Sequence, residues 1–136
     1  METLESGLPD HVADEEDLAR FLIQSNQFST QAVKPAAFMP NPKDRETSVS
    51  RQHREPSDAL WAIGLKAAGG RTLYGVAFVK AQEVRIAGLE VTAAEPPPCH
   101  AVITGWPWPE DADMQRAQQK EFAIVLASAA GKPLLR

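Results

Sequence analysis

One cysteine, Cys99, stands in the 136 residues of this chain. No disulfide can form within it, which fits a reducing compartment. No apolar run approaches the roughly 20 residues of a membrane-spanning helix, so no membrane association is expected. The start, METLESGLPDHVADEEDL, has neither a basic n-region nor an apolar h-region. No secretory signal is read there, and a cytoplasmic location is expected. The spacings H-x-H, C-x-x-C and H-E-x-x-H are missing, as is a glycine-rich phosphate loop, so neither a metal site nor a P-loop is expected. No cofactor is implied.

Basic residues are also missing from one region. Residues 1 to 17 hold seven acidic groups and no Lys or Arg, leaving 14 basic against 11 acidic residues in the remainder. The acidic stretch is read as a flexible leader over residues 1–13, ahead of a single domain over 14–136. A pI near 5.3 argues against a dedicated nucleic-acid binder, which ordinarily carries a basic footprint.

The rest reads as an α+β domain. DEEDLARFLI suggests a short helix, with acids in its first turn and Leu18, Phe21 and Leu22 on one face. The prolines of QAVKPAAFMPNP argue for an extended loop, after which alternation around Val49 suggests a strand. Ser57 can cap a helix ended by Gly69 and Gly70. TLYGVAFV reads as an inner strand, KAQEVRIAG as two helical turns, and LEVTA and CHAVITG as short strands. Residues 111–130 suggest a helix with a stripe of Met114, Ala117, Phe122, Val125, Leu126 and Ala129, stopped by Gly131 and Pro133. Together these predict a small antiparallel or mixed sheet of about three to four strands with N- and C-terminal helices packed on it.

Chemistry is concentrated in two stretches. The first holds Ser48, Ser50, Arg51 and Arg54, with Lys43 and Arg45 close by; hydroxyls and guanidinium groups there could hold a phosphate or carboxylate. The plainer reading pairs Arg51 with a carboxylate. The second, PPPCHAVITGWPWPE, carries five of the eleven prolines. Strand alternation there puts Cys99 and His100 on opposite faces, so they cannot act on one metal or one substrate. His100 alone has the pKa range of a general base, and the plainer reading has it hydrogen-bonding backbone at a strand start. Trp106 and Trp108 each precede a proline, which forces extended backbone, so GWPWP is a stiff rod. Preorganised aromatics make good interface anchors. Trp106 is the one expected to plug the core and Trp108 the one expected in the open.

The stretches FMPNPKDRETSVSR (38–51) and PPCHAVITGWP (97–107), with the intervening LWAIG, resemble a family of small uncharacterised bacterial proteins. Its pattern runs F-x-P, S-V-x-R, a Trp-x-x-Gly helix, then H-A-x-I-x-G-W-P before a terminal alanine-rich helix. Phe38, Pro40, Ser48, Arg51, His100, Gly105, Trp106 and Pro107 match it. The resemblance implies a bacterial cytosolic protein of a mobile or conflict-related gene cluster and carries no activity. These residues converge if strands 47–51 and 99–105 are neighbours.

Two functions follow as expectations. The first is a non-enzymatic interaction or accessory module that docks an unidentified protein partner through Trp106 and Trp108, with Arg51, Arg54 and Ser50 beside them. The alternative is a small enzyme or ligand-binding domain for an anionic nucleotide or RNA substrate. It would use Arg51 as clamp, Ser48 or Ser50 as hydrogen-bonding group and His100 as acid or base. No catalytic residue is assigned beyond these candidates.

Overall fold

The computed structural model describes residues 3–51 and 57–136. Its chain order is β1 (Asp17–Leu22), β2 (Thr47–Arg51), α1 (Asp58–Ala68), β3 (Gly75–Lys80), α2 (Ala81–Ile86), β4 (Glu90–Ala93), β5 (His100–Thr104), α3 (Ala112–Ala130) and β6 (Leu134–Leu135). Single 3-10 turns lie at Ser25–Gln27 and Pro35–Ala37. The strands form one sheet in the order β4-β5-β2-β1-β3-β6, and every neighbouring pair is antiparallel. The class is α+β, as the sequence suggests, but the sheet is larger than the three to four strands expected.

Much of that difference lies in DLARFL, which is β1 rather than an N-terminal helix. Leu18 and Leu22 enter one core cluster while Ala19 and Phe21 enter the other. A strand buried on both faces gives a continuous apolar run whose spacing also suits a helix. Its six-residue ladder to β3 decides the matter. Two residues after Pro133 add β6 at the edge, where Leu134 and Leu135 pair with Val76 and Gly75.

One face of the sheet is covered by α2, α3 and the turn at Pro35–Ala37. Leu18, Leu22, Val49, Ala77, Val79, Val91, Ala101 and Ile103 point there, against Phe38, Ala123, Leu126 and Ala127. Each fully buried leucine or valine among them contributes about 1.5–3 kcal/mol. The buried stripe of α3 runs through Gln119, Ala123, Leu126 and Ala127. Met114 and Val125, expected inside, are among the exposed hydrophobics. The reason is position: Gln119 is drawn inward because its Nε2 donates to Pro107 O at 2.9 Å, which fixes the rotation of the helix.

On the other face α1 packs over β1 and β3, through Leu60, Ala68, Ala19, Phe21, Leu73 and Val76, with Leu134 of β6 against them. Ser57 caps it by accepting from the Leu60 N–H, and Gly69 ends it in the left-handed conformation. The approach is close at Gly64, where a Cβ would lie 2.8 Å from Phe21 Cδ1 and 2.9 Å from Leu73 Cδ2. This cluster takes no residue from β2, β4 or β5, so that half of the face borders a cleft. Among the described residues, no helix is long and apolar enough to cross a membrane.

Among the described residues the acidic segment makes contacts with the domain. Val12 is 1% exposed within the core, Thr3 bridges to Pro9, and Ser6 hydrogen-bonds Glu95 through both its N–H and its hydroxyl. The cause is Arg51, whose fork of donors takes carbonyls from this segment.

Candidate functional site

Alternation along β2 separates its polar residues by face. Thr47, Val49 and Arg51 point to the α3 side, where the Thr47 hydroxyl donates to Phe38 O at 2.7 Å; Ser48 and Ser50 point to the cleft. The strands 47–51 and 99–105 are indeed neighbours, paired as Thr47 with Ile103, Ser48 with Val102, Val49 with Ala101 and Ser50 with His100. The Arg51 N–H donates to Cys99 O at 2.8 Å. That makes Ser50 and His100 a non-hydrogen-bonded pair, the arrangement that brings opposed side chains closest.

Arg51 is therefore not where a clamp for His100 would have to be. It is fully buried on the opposite face, with Nε and Nη2 each donating at 2.8 Å to the two oxygens of Glu16. Nη1 donates to Pro9 O at 2.8 Å and Nη2 to His11 O at 3.2 Å. Four of its five N–H donors are engaged. The carboxylate-paired reading is the one the geometry matches.

The cleft holds a different arginine. Among the described residues β1 and β2 pair at Leu18 with Arg51 and Ala19 with Ser50, and toward Ser48 the strands part. Ser48, paired across from Val102, turns its carbonyl away from β5 into this fork. Arg20 fills the fork, donating from Nη1 to Ser48 O at 2.9 Å and from Nε to Ala37 O at 2.7 Å. Among the described residues no carboxylate lies in ion-pair reach of Arg20 or of Arg71, whose Nε donates to Ala68 O at 3.1 Å. Burial, and after it the nearby Arg71 charge, lower the Arg20 pKa to about 10. At neutral pH the fork thus holds a cation facing a second cation.

These groups line a cleft of about 880 Å³. Its apolar walls include Phe21, Ile23, Met39 and Ile63, and its polar ones Arg20, Lys66, Arg71, Ser48, Ser50 and His100. Ser50 is only 3% exposed, yet its Oγ has no hydrogen-bond partner among the described residues. His100 Nδ1 lies 2.9 Å from Ala94 O. In the neutral ring this contact keeps the proton on Nδ1 and leaves Nε2 as an acceptor.

The tryptophans divide the roles. Trp106 is 7% exposed, its Nε1 donates to Ile103 O at 3.1 Å, and it meets Phe122 edge-on at 6.4 Å. Trp108 is half-buried, packed on the core and capped by the Arg45 guanidinium 5.0 Å from its ring. Gln115 and Gln119 donate to Pro109 O and Pro107 O and so hold the rod to α3. Lys43 is exposed in the 41–46 loop. Arg54 and His53 lie outside the described residues. Cys99 has its thiol pKa raised by burial first and by Glu95 second, the opposite of an activated nucleophile. Among the described residues no cluster of three or more His, Cys, Asp or Glu could hold a metal ion.

Sequence reasoning missed Arg20 and Arg71. The available signal was Arg20 itself, a cation inside the apolar run LARFLI, which in a buried strand demands a special partner. No family profile, curated protein or solved structure matches this chain.

Proposed function

We propose that this protein is a non-enzymatic binding domain that takes an anionic small molecule into the cleft between α1 and β2. The observation that carries the reading is Arg20, partly buried, free of any carboxylate among the described residues and placed beside Arg71. Like charges brought together in a partly desolvated site are costly unless an anion joins them. The volume falls in the range of small-molecule sites, and apolar walls with a few convergent polar groups are their usual lining. The acidic net charge of the chain, -4, makes a local concentration of cations the more specific.

Arg71 is the residue on which to test this. It is exposed and its Nε donates locally to Ala68 O, so Arg71→Gln should leave the melting temperature of the free protein within about 2 °C, as surface changes do. Pyrophosphate or adenosine 5′-monophosphate at millimolar concentration should raise the melting temperature of the wild-type protein, and the variant should lose most of that rise. Equal responses in both proteins, or no response in either, would overturn the reading.

A second reading, an accessory module docking a protein partner, is supported by Trp108. Its half-exposed ring lies under Arg45 of the 41–46 loop, which also forms the rim of the cleft through Asn41, Pro42 and Glu46. Trp106, as part of the core, adds nothing to such a surface. Trp108→Ala should then abolish capture of one stoichiometric protein from native lysate while the fold survives; undiminished capture would remove this reading.

A further inference from the structure

We infer that the anion taken in this cleft is the phosphate of a phosphorylated pentose, with Ser50 and His100 reading two hydroxyls of the sugar. The inference rests on the anion-binding reading above and extends it to a substrate class.

The two ends of the site offer different chemistry. At the fork, Arg20 uses two of its five donors on Ser48 O and Ala37 O, and Arg71 one on Ala68 O. The remaining N–H groups of two planar forks suit the several oxygens of a phosphate better than the two of a carboxylate. Lys66 stands on the same wall.

At the other end the chemistry is neutral. Ser50 Oγ is buried and without a partner among the described residues, and an unsatisfied buried hydroxyl is destabilising. A hydroxyl both donates and accepts, and the neighbouring His100 offers Nε2 as an acceptor while Nδ1 is held on Ala94 O. The pair is therefore equipped to take O–H groups, one donating its hydrogen to Nε2 and the other exchanging a bond with Oγ. Ser50 and His100 are directly opposed across β2 and β5, so the two hydroxyls must be adjacent on the ligand.

Spacing connects the ends. Ser48, which carries the Arg20 guanidinium on its carbonyl, and Ser50 are two residues apart on one strand, about 7 Å. That is the scale separating a 5-phosphate from the vicinal hydroxyls of the same pentose. The apolar walls at Phe21, Met39 and Ile63 leave room for a base, so sugar phosphates and nucleoside monophosphates share the required chemistry.

The test uses the full chain and four probes: adenosine 5′-monophosphate, its 2′-deoxy counterpart, ribose 5-phosphate and inorganic phosphate, each titrated calorimetrically. Two variants accompany them. Ser50→Ala removes an unpartnered hydroxyl and should leave the free protein as stable as wild type or slightly more so. His100→Asn keeps an N–H for Ala94 O and removes Nε2. The expected result is tighter binding of the ribose compounds than of the deoxy compound and inorganic phosphate by about tenfold, the scale of one hydrogen bond to a buried group. Each variant should erase that preference while retaining the response to inorganic phosphate. If adenosine 5′-monophosphate binds and ribose 5-phosphate does not, the ligand is a nucleotide; the reverse order makes it a sugar phosphate. If all four probes bind alike and both variants behave as wild type, the pentose inference is overturned while anion binding stands. Should none bind, the anion reading fails and takes this one with it.

Discussion

Arg51 and Arg20 sit on neighbouring strands of one sheet and have opposite fates. Arg51 is fully buried, but Glu16 meets it with both oxygens and Pro9 and His11 add their carbonyls. Arg20 is less buried and has two carbonyls and no carboxylate among the described residues. A guanidinium closed inside a protein needs a counter-charge to repay its lost hydration; one beside an open cleft can keep part of that hydration or exchange it for a ligand. The difference teaches that burial alone does not mark a functional arginine. Completeness of its partners does, and by that measure Arg51 is a rivet and Arg20 is an open hand.

The comparison breaks most visibly at Glu16. Glu16→Ala leaves the Arg51 charge uncompensated in the core, and the expected loss is about 3–5 kcal/mol in urea denaturation. Replacing both partners, as Glu16→Leu with Arg51→Met, removes both charges together and should recover a substantial part of that loss. A single-variant loss below about 1 kcal/mol would mean that Arg51 finds water or another acceptor, and the contrast with Arg20 would fall.

The contrast also explains how far the sequence could be read. β2, α1, α2, β4, β5 and α3 were legible because each carries its own local signal. Ser57 and Gly69 bracket α1, Gly88 closes the turn after α2, and Val91, Ala101 and Ile103 alternate inward. β1 was not, because a central strand with Leu18 and Leu22 on one side and Ala19 and Phe21 on the other has lost the alternation that distinguishes strands from helices. The site suffered from the same error. Ser50 and His100 could be placed on one strand face each by counting, and their juxtaposition followed only from the β2–β5 register. Arg20 could not be placed at all while its segment was read as a helix, since the fork it fills is created where β1 leaves β2 for β3. Arg51, the more conspicuous residue in the sequence, drew attention that its paired state does not merit.

A smaller effect sharpens the comparison at Arg20. Arg20→Met strips a donor from Ser48 O and Ala37 O, but the cleft admits water to replace it, and removing a charge that burial disfavours offsets part of the loss. A net cost within about 2 kcal/mol at pH 7 is expected, well below that of Glu16→Ala. The pH dependence identifies the charge as the cause. The folded-state pKa of about 10 lies below the ordinary arginine value, so above pH 10 the unfolded chain holds a proton at this residue that the folded chain has released. Stability then rises with pH in wild type relative to Arg20→Met, and the difference is flat at lower pH, where both states are protonated. Denaturation of the two proteins in parallel from pH 8 to 11 reads this directly, since all other titrating groups are common to both. A bound phosphate compensates the charge, so adding it should shift the onset upward; a difference flat through pH 11, with or without phosphate, would mean that Arg20 is as well satisfied as Arg51.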